Sequence, residues 1–357
     1  MVIVECRRSF GVSTERSSVG KTTLKDVGDH VGVSAKTVSN VVNGTGWVSD
    51  ELRDRVRAAL VELGYRPNAA ARQLRSGRSG MIALALPDLA QPYFAELASA
   101  MVRAADQRSI TVLISQTNGQ ADAERRISDG VGIPVMDGLI LSALALGVDD
   151  LTTRLDSTPL VLLGEHIGTS PFPHVTVDNA AAARAATDFL IASGRRRIAA
   201  IGAQRTAPKE TADLRLTGFR TAMDAAGLPV DDHLICHVDE FQRADGAAAA
   251  ERLLASEVEF DAIFAFNDLL ALGAMHTLIS RGIRVPEDVA IVGFDDIDEG
   301  RFATPALTTV SPDKDAIART ALDLLLAPQV HSGKEVRPAS AVPETTIPFQ
   351  IVKRVSA

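Results

Sequence analysis

Apolar residues in this chain follow two different periods. From Leu24 to Asn43 (LKDVGDHVGVSAKTVSNVVN) the period is helical, with Leu24, Val27 and Val31 on one face. Gly32-Val33-Ser34 breaks it. Gly32 suits the left-handed backbone that ends a helix, and Ser34 can cap the next one. Val38, Val41 and Val42 give this second helix a face to lay against the first. Lys36, Ser39 and Asn40 lie on its other face. A third helix is predicted after a Ser49 cap, with Leu52, Val56, Leu60 and Leu63 at helical spacing and Gly64 closing it. From Met81 the pattern changes. Short apolar runs (MIALALP, ITVLIS, GLILSA, LVLLG, HVTVD, RIAAIGA, AIFAF, VAIVGFDD) alternate with helical stretches such as PYFAELASAMVRAADQ and NDLLALGAMHTLISRG. Strand, helix, strand repeated this way predicts an α/β region of parallel sheets covered on both faces, and the runs are too many for one small sheet.

The front region has the layout of a helix-turn-helix, although any small helical hairpin shares that pattern. Trp47, the only tryptophan, is expected to staple the three-helix core; stacking on nucleic acid is the alternative. Gly20-Lys21-Thr22 resembles the end of a phosphate loop, but position 15 is Glu where that motif needs glycine, and no strand precedes it.

TLKDVGDHVGVSAKTVSNVVNG followed by VSDELRDRVRAALVELGYRPNAAARQLRSGRS resembles the DNA-binding headpiece of LacI-family transcriptional regulators almost residue for residue. The likeness continues more loosely to the C-terminus. Residues 1–20 show no period and read as a disordered tail, and the resemblance implies a helix-turn-helix headpiece over 21–66 and a hinge helix with linker over 67–80. It implies that 81–357 forms two doubly wound parallel-sheet lobes of periplasmic-binding-protein-like type I, which bind an effector and dimerise. The first lobe would run from about Met81 to Val177, with the chain returning after about Thr308. The second would span Asp178 to Pro305 and take back the last strand, TIPFQIVKR.

Roles follow from the same resemblance. Two headpieces of a homodimer would bind the halves of a near-palindromic operator duplex. Lys36 suits the N7 and O6 acceptors of guanine, Asn40 an adenine edge, and Ala35 a thymine methyl. Thr23, Thr37 and Ser39 are expected at phosphates, with Ser34 beside them at the start of the reading helix. In the family the hinge helix, here capped by Asn68, wedges a leucine into the minor groove. Leu74 holds that position, and Arg72, Arg75 and Arg78 add salt-dependent affinity.

Charge agrees with a DNA-facing front. Residues 21–80 hold ten Lys/Arg against six Asp/Glu, and 1–20 add one more positive charge, so 81–357 carries −13 within a total of −8. Two cysteines far apart, Cys6 and Cys236, do not suggest a disulfide framework. No apolar run is long enough to span a membrane and the N-terminus has no apolar signal core, so a cytoplasmic location is expected.

In open α/β sheets ligands sit beyond strand ends. Asp88, Tyr93 and Phe94 follow the first apolar run, Ser115 the second, and Glu165-His166 follow LVLLG. The resemblance places Arg215, Asn267 and Asp295 at effector-contacting positions. Helix capping by Asn267 or Asp178 and turn closure by Asp295 are the plainer alternatives, and Asp268 and Asp296 fit a structural role better. Asp, Asn and Arg can pair with neighbouring sugar hydroxyls, and an aromatic face packs the apolar side of the ring; the resemblance implies a carbohydrate, the family's commonest effector, with a nucleobase as the other choice. The sequence departs from sugar-responsive relatives at Glu165-His166. It also departs in VTVDNAAAARA, which has alanine where a helix glycine is usual. Neither catalysis, metal nor cofactor is expected. The seven His lack metal-ligand spacing, His166 and His174 read as loop residues, and no nucleophile elbow, dinucleotide loop or paired carboxylates occur. A solute-binding protein or a sugar-processing enzyme could share the two-lobed fold, but neither explains a helix-turn-helix.

Overall fold

The computed structural model describes residues 22–65, 78–132, 134–164, 170–206, 209–256, 258–327 and 344–357. The tail, the hinge residues Asn68, Arg72, Leu74 and Arg75, and the pair Glu165-His166 lie outside the described residues. The chain divides into two compact units, 1–77 and 78–357.

In the first unit, α1 (Leu24–Val31), α2 (Ala35–Asn43) and α3 (Asp50–Glu62) close on Val27, Val31, Val38, Val56 and Ala59. Thr23 caps α1 reciprocally. Its Oγ1 accepts from Asp26 N at 3.3 Å, and Asp26 Oδ2 accepts from Thr23 N at 2.8 Å. Those bonds hold the Asp26 carboxyl below the usual carboxylate range. Gly32, at φ 78°, ends α1, and Ser34 Oγ accepts from Thr37 N at 3.1 Å to start α2. Arg55 Nη2 donates to Val31 O at 2.9 Å, tying α3 to the end of α1. Ser49 precedes α3 but its side chain makes no capping bond. Trp47 does not staple this core: it is 92% exposed. Gly44 and Gly46 both take left-handed backbone, and the loop they shape turns Val48 inward in its place.

The second unit holds two six-stranded sheets. The strands of the first are β1 (Met81–Leu86), β2 (Thr111–Gln116), β3 (Leu139–Leu141), β4 (Leu160–Leu163), β5 (His174–Val177) and, from the C-terminal end of the chain, Glu344–Ile347. All pairings are parallel, with β2 at one edge and Glu344–Ile347 at the other. Helices cover both faces, and β1 shows why its run is continuously apolar. Ile82, Leu84 and Leu86 enter one core with α4 (Pro92–Asp106), while Ala83 and Ala85 enter another beside α5 (Ala121–Ser128). The short α6 (Val148–Thr152) completes this lobe's front half. His174 starts a buried strand and is 3% exposed, so it is not a loop residue.

The chain crosses to the second lobe at Asp178, whose Oδ1 accepts from Ala181 N at 2.9 Å and caps α7 (Asn179–Ala192). There follow β6 (Ile198–Ala203), α8 (Glu210–Ala225), β7 (Ile235–His237), α9 (Arg243–Ala255), β8 (Ala262–Ala265), α10 (Asp268–Ser280), β9 (Ala290–Phe294), α11 (Asp298–Phe302) and β10 (Thr308–Pro312). Helices α7 and α8 approach closely at Gly218, where a Cβ would lie 2.1 Å from Ala180 O. The alanine-rich α7 thus faces a glycine on its partner helix.

Two lobe boundaries differ from the sequence expectation. The strand β10 belongs to the second sheet, pairing with β9, so the return to the first lobe begins only at α12 (Lys314–Leu326). The segment TIPFQIVKR is not one strand. β11 (Glu344–Ile347) pairs with β5 in the first sheet, and β12 (Phe349–Val352) pairs antiparallel with β10 in the second. Pro348 sits between them, with no N–H to continue a ladder.

Candidate functional site

The two sheets of the second unit present their C-terminal strand ends to a common cleft of about 560 Å³. That volume suits a small metabolite. Asp88, Tyr93 and Phe94 reach it from the first lobe; Arg215, Asn267 and Asp295 reach it from the second. Ser115 does not line it. It lies on the edge strand β2, and the loop beyond, Asn118–Gln120, forms the wall.

Arg215 is the most buried of the charged residues lining the cleft, 6% exposed on the first half of α8. Its Nε donates to Asn179 Oδ1 at 2.7 Å, Nη1 donates to Phe266 O, and Nη2 lies 3.9 Å from Asp295 Oδ1. The guanidinium stacks on Phe294 with its carbon 3.5 Å from the ring centroid. A guanidinium fixed in this way offers a planar edge and a neighbouring carboxylate to a polar ligand. Asn267 does two jobs. Its Oδ1 accepts from Leu270 N at 2.9 Å, capping α10, and its Nδ2 donates to Phe241 O at 3.1 Å. One amide proton remains for a ligand. On the opposite lobe Tyr93 and Phe94 pack edge to face, centroids 5.3 Å apart, at the start of α4.

The turn carrying Asp295 is held under backbone strain. Asp295 and Asp296 take φ of 109° and 51°, a region that favours glycine. Several bonds fix it. Asp296 accepts from Arg354 Nη2 at 2.5 Å and from Ser311 Oγ at 2.8 Å, and Asp295 N donates to Val310 O at 2.9 Å. Beneath it Asp268, fully buried, accepts from Ile297 N at 2.9 Å. Thr309 Oγ1 lies 2.6 Å from Asp268 Oδ1 and 3.2 Å from Val310 O. One hydroxyl proton serves only one of them, and a protonated Asp268 satisfies both. Burial, and next the nearby Asp295 charge, push the Asp268 carboxyl well above the ordinary range. Asp268 and Asp296 are therefore structural supports for Asp295.

Sequence reasoning missed the residue that shapes the opposite wall. Glu124 is buried, and its carboxylate accepts from Leu144 N, Ala145 N and Leu146 N at 2.9, 3.1 and 3.0 Å. It fixes the loop after β3 that carries the lining residues Ser142 and Leu144. Phe241, Gln242 and Thr176 also line the cleft and were not singled out, because their strands and loops show no motif.

In the first unit the face of α2 away from the core presents Lys36, exposed, with Ser39 and Asn40 half-buried beside it. Ser39 Oγ and O both accept from Asn43 Nδ2, at 3.1 and 2.8 Å. Thr23, Ser34 and Thr37 hold their hydroxyls in capping bonds at the helix starts, where backbone N–H groups also point outward. Among the described residues no group of His, Cys, Asp and Glu could hold a metal ion, and no helix is long and apolar enough to cross a membrane.

A small helical unit with a polar reading face, joined to two lobes around a ligand-sized cleft, defines a ligand-responsive DNA-binding regulator. Comparison with known proteins agrees. Residues 23–68 match the family described as bacterial regulatory proteins, lacI family, and 187–356 match a periplasmic binding protein-like domain. The chain is 34% identical to the HTH-type transcriptional regulator DegA of Bacillus subtilis, over 82% of this chain and 86% of that protein. It is 36% identical to the ribose operon repressor of Halalkalibacterium halodurans, over 81% and 85%. Among solved structures, the lac repressor dimer bound to operator and the anti-inducer ONPF aligns with a TM-score of 0.78 at 26% identity, over 94% of this chain and 99% of that one. A CelR–cellobiose complex aligns at 0.64 and 30% identity, over 94% and 100%. The chain belongs to the LacI family: it is a DNA-binding transcriptional repressor, and its relatives are regulators rather than enzymes.

Proposed function

We propose that the chain is a cytoplasmic, homodimeric repressor whose grip on a near-palindromic operator is set by a sugar or sugar derivative in the cleft. The observation that supports this most is the Arg215–Asp295 arrangement, 3.9 Å apart and backed by the Phe294 ring. Adjacent planar donor and acceptor groups suit vicinal hydroxyls, and Tyr93, Phe94 and Phe241 offer apolar faces for a sugar ring. The ribose repressor and the cellobiose-bound CelR favour the same class. In the headpiece, Lys36 and Asn40 read bases, Ala35 meets a thymine methyl, and Thr23, Ser34, Thr37 and Ser39 set register on phosphates. Asn68, Arg72 and Leu74 keep the hinge role their resemblance implies.

Ligand binding shifts the two lobes relative to each other, and hinge order and operator affinity change with it. Such coupling is reciprocal: operator must alter effector affinity by the same factor. A thermal-shift screen of the full chain against pentoses, hexoses, disaccharides and purines tests the ligand class. A concentration-dependent rise in melting temperature with sugars alone supports it. A rise with purines alone replaces the sugar reading with a nucleobase one.

A further inference from the structure

The sole tryptophan is in an unusual place. Trp47 is 92% exposed, four residues beyond the end of the reading helix α2. An indole left in water exposes on the order of 200 Å² of largely apolar surface, which a partner normally covers.

The loop that carries it is ordered by its neighbours. Gly44 ends α2 at φ 65°, and Thr45 N donates to Asn40 O at 2.9 Å. Gly46, at φ 73°, packs over Asn40 so closely that a Cβ there would lie 3.0 Å from Asn40 Nδ2. On the far side Val48 is buried in the headpiece, and its carbonyl accepts from Arg53 Nη2 at 3.2 Å. Trp47 is thus held between an anchor in the core and the side chain on α2 that is assigned to a base.

We infer that Trp47 is a DNA-contacting residue that packs on the sugar–phosphate wall of the operator duplex. This rests on the reading of α2 as the DNA-reading helix. Reading helices touch base edges with their N-terminal residues, so a loop past the C-terminal end meets the groove wall. Bases in a duplex are already stacked, so the surface available to the indole there is deoxyribose and backbone. The segment 21–80 as a whole carries a net charge of +4 in sequence, which suits a polyanionic partner. The indole adds apolar contact without displacing a counterion. It therefore strengthens binding to every sequence equally and leaves the salt dependence alone.

The uniqueness of Trp47 makes the test direct. Full-length protein is titrated with dye-labelled duplex of mixed sequence at low salt, reading duplex anisotropy, tryptophan emission and acrylamide quenching together. Bound duplex should change the emission and shield the indole from acrylamide. Trp47→Ala should weaken binding about tenfold at every salt concentration, with an unchanged slope of log affinity against log salt. Lys36→Ala should instead reduce that slope by about one. Anisotropy showing binding while the indole stays as quenchable as before, or Trp47→Ala binding like the parent, overturns the assignment. Absence of any duplex binding by the parent removes the DNA-reading role of α2 itself, and the Trp47 assignment with it.

Discussion

The Glu96 carboxylate lies 2.8 Å from Lys314 Nζ, and together these two first-lobe residues fasten the strained turn of the second lobe. The other Glu96 oxygen accepts from Asp298 N at 2.9 Å, and Lys314 Nζ donates to Asp296 O at 2.9 Å. Both attachments fall within the three residues after Asp295. The lobes are therefore latched next to the cleft-lining Asp295 carboxylate by bonds that a shift of one lobe can break.

Lys314→Met keeps the helix but removes its grip on Asp296 O. A charge-assisted bond of about 1.5–3 kcal/mol, discounted for partial exposure to about 1 kcal/mol, should be lost. Amide exchange in the peptide spanning 295–302 should accelerate severalfold while β1 and β6 stay protected. Unchanged exchange in that peptide would show the latch to be energetically idle.

Arg215→Ala removes the partner of Asn179, Phe266 O and Asp295 at once. Taking this donor from the Asn179 Oδ1 and Phe266 O acceptors, and the guanidinium charge from beside Asp295, should lower second-unit stability by about 3 kcal/mol and abolish any effector-dependent change in operator affinity. Operator binding without effector should persist below the melting temperature. A variant that still responded to effector would place the ligand elsewhere.

Asp268 makes stability depend on pH in a defined sense. Its folded pKa is raised above the ordinary 3.8, so the native state holds a proton that the unfolded chain releases. The stabilisation is full below about 3.8 and is lost as pH rises from there through the raised folded value. Asp268→Asn, whose amide can donate to Thr309 and accept from Ile297, should flatten this fall. Denaturant titrations of parent and variant from acid to neutral pH check it. Parallel curves would mean that Asp268 is not protonated in the fold.

Gly28 sets the spacing of the headpiece. A Cβ there would lie 2.6 Å from Val33 O, a backbone atom of the turn. Gly28→Ala should destabilise the headpiece by about 1–3 kcal/mol and weaken DNA binding, with the thermal transition of the 78–357 unit unmoved. Circular dichroism and duplex titration together read the two effects.

Much of this was legible because it is local. Apolar spacing and the Gly32–Ser34 break marked the end of α1 and the start of α2, and Asn267 declared itself as a cap next to a strand end. What the sequence concealed depends on direction in space. Trp47 looked like a core residue by composition, and only the left-handed backbone at Gly44 and Gly46 turns it outward. The division of TIPFQIVKR between two sheets follows from where β5 and β10 end, which no pattern in that segment records. Glu124 reads as one more acidic residue on a polar helix face, since its three backbone partners lie some twenty positions downstream.

On the proposed mechanism a positively charged headpiece selects a duplex sequence, and a metabolite in the cleft alters that selection. Binding-site selection from a randomised duplex pool, performed with the full chain in the presence and absence of each thermal-shift hit, measures both halves together. Enrichment of one near-palindromic sequence, with yield changed by a sugar, is the expected result. A pool that stays random under every condition would contradict the mechanism.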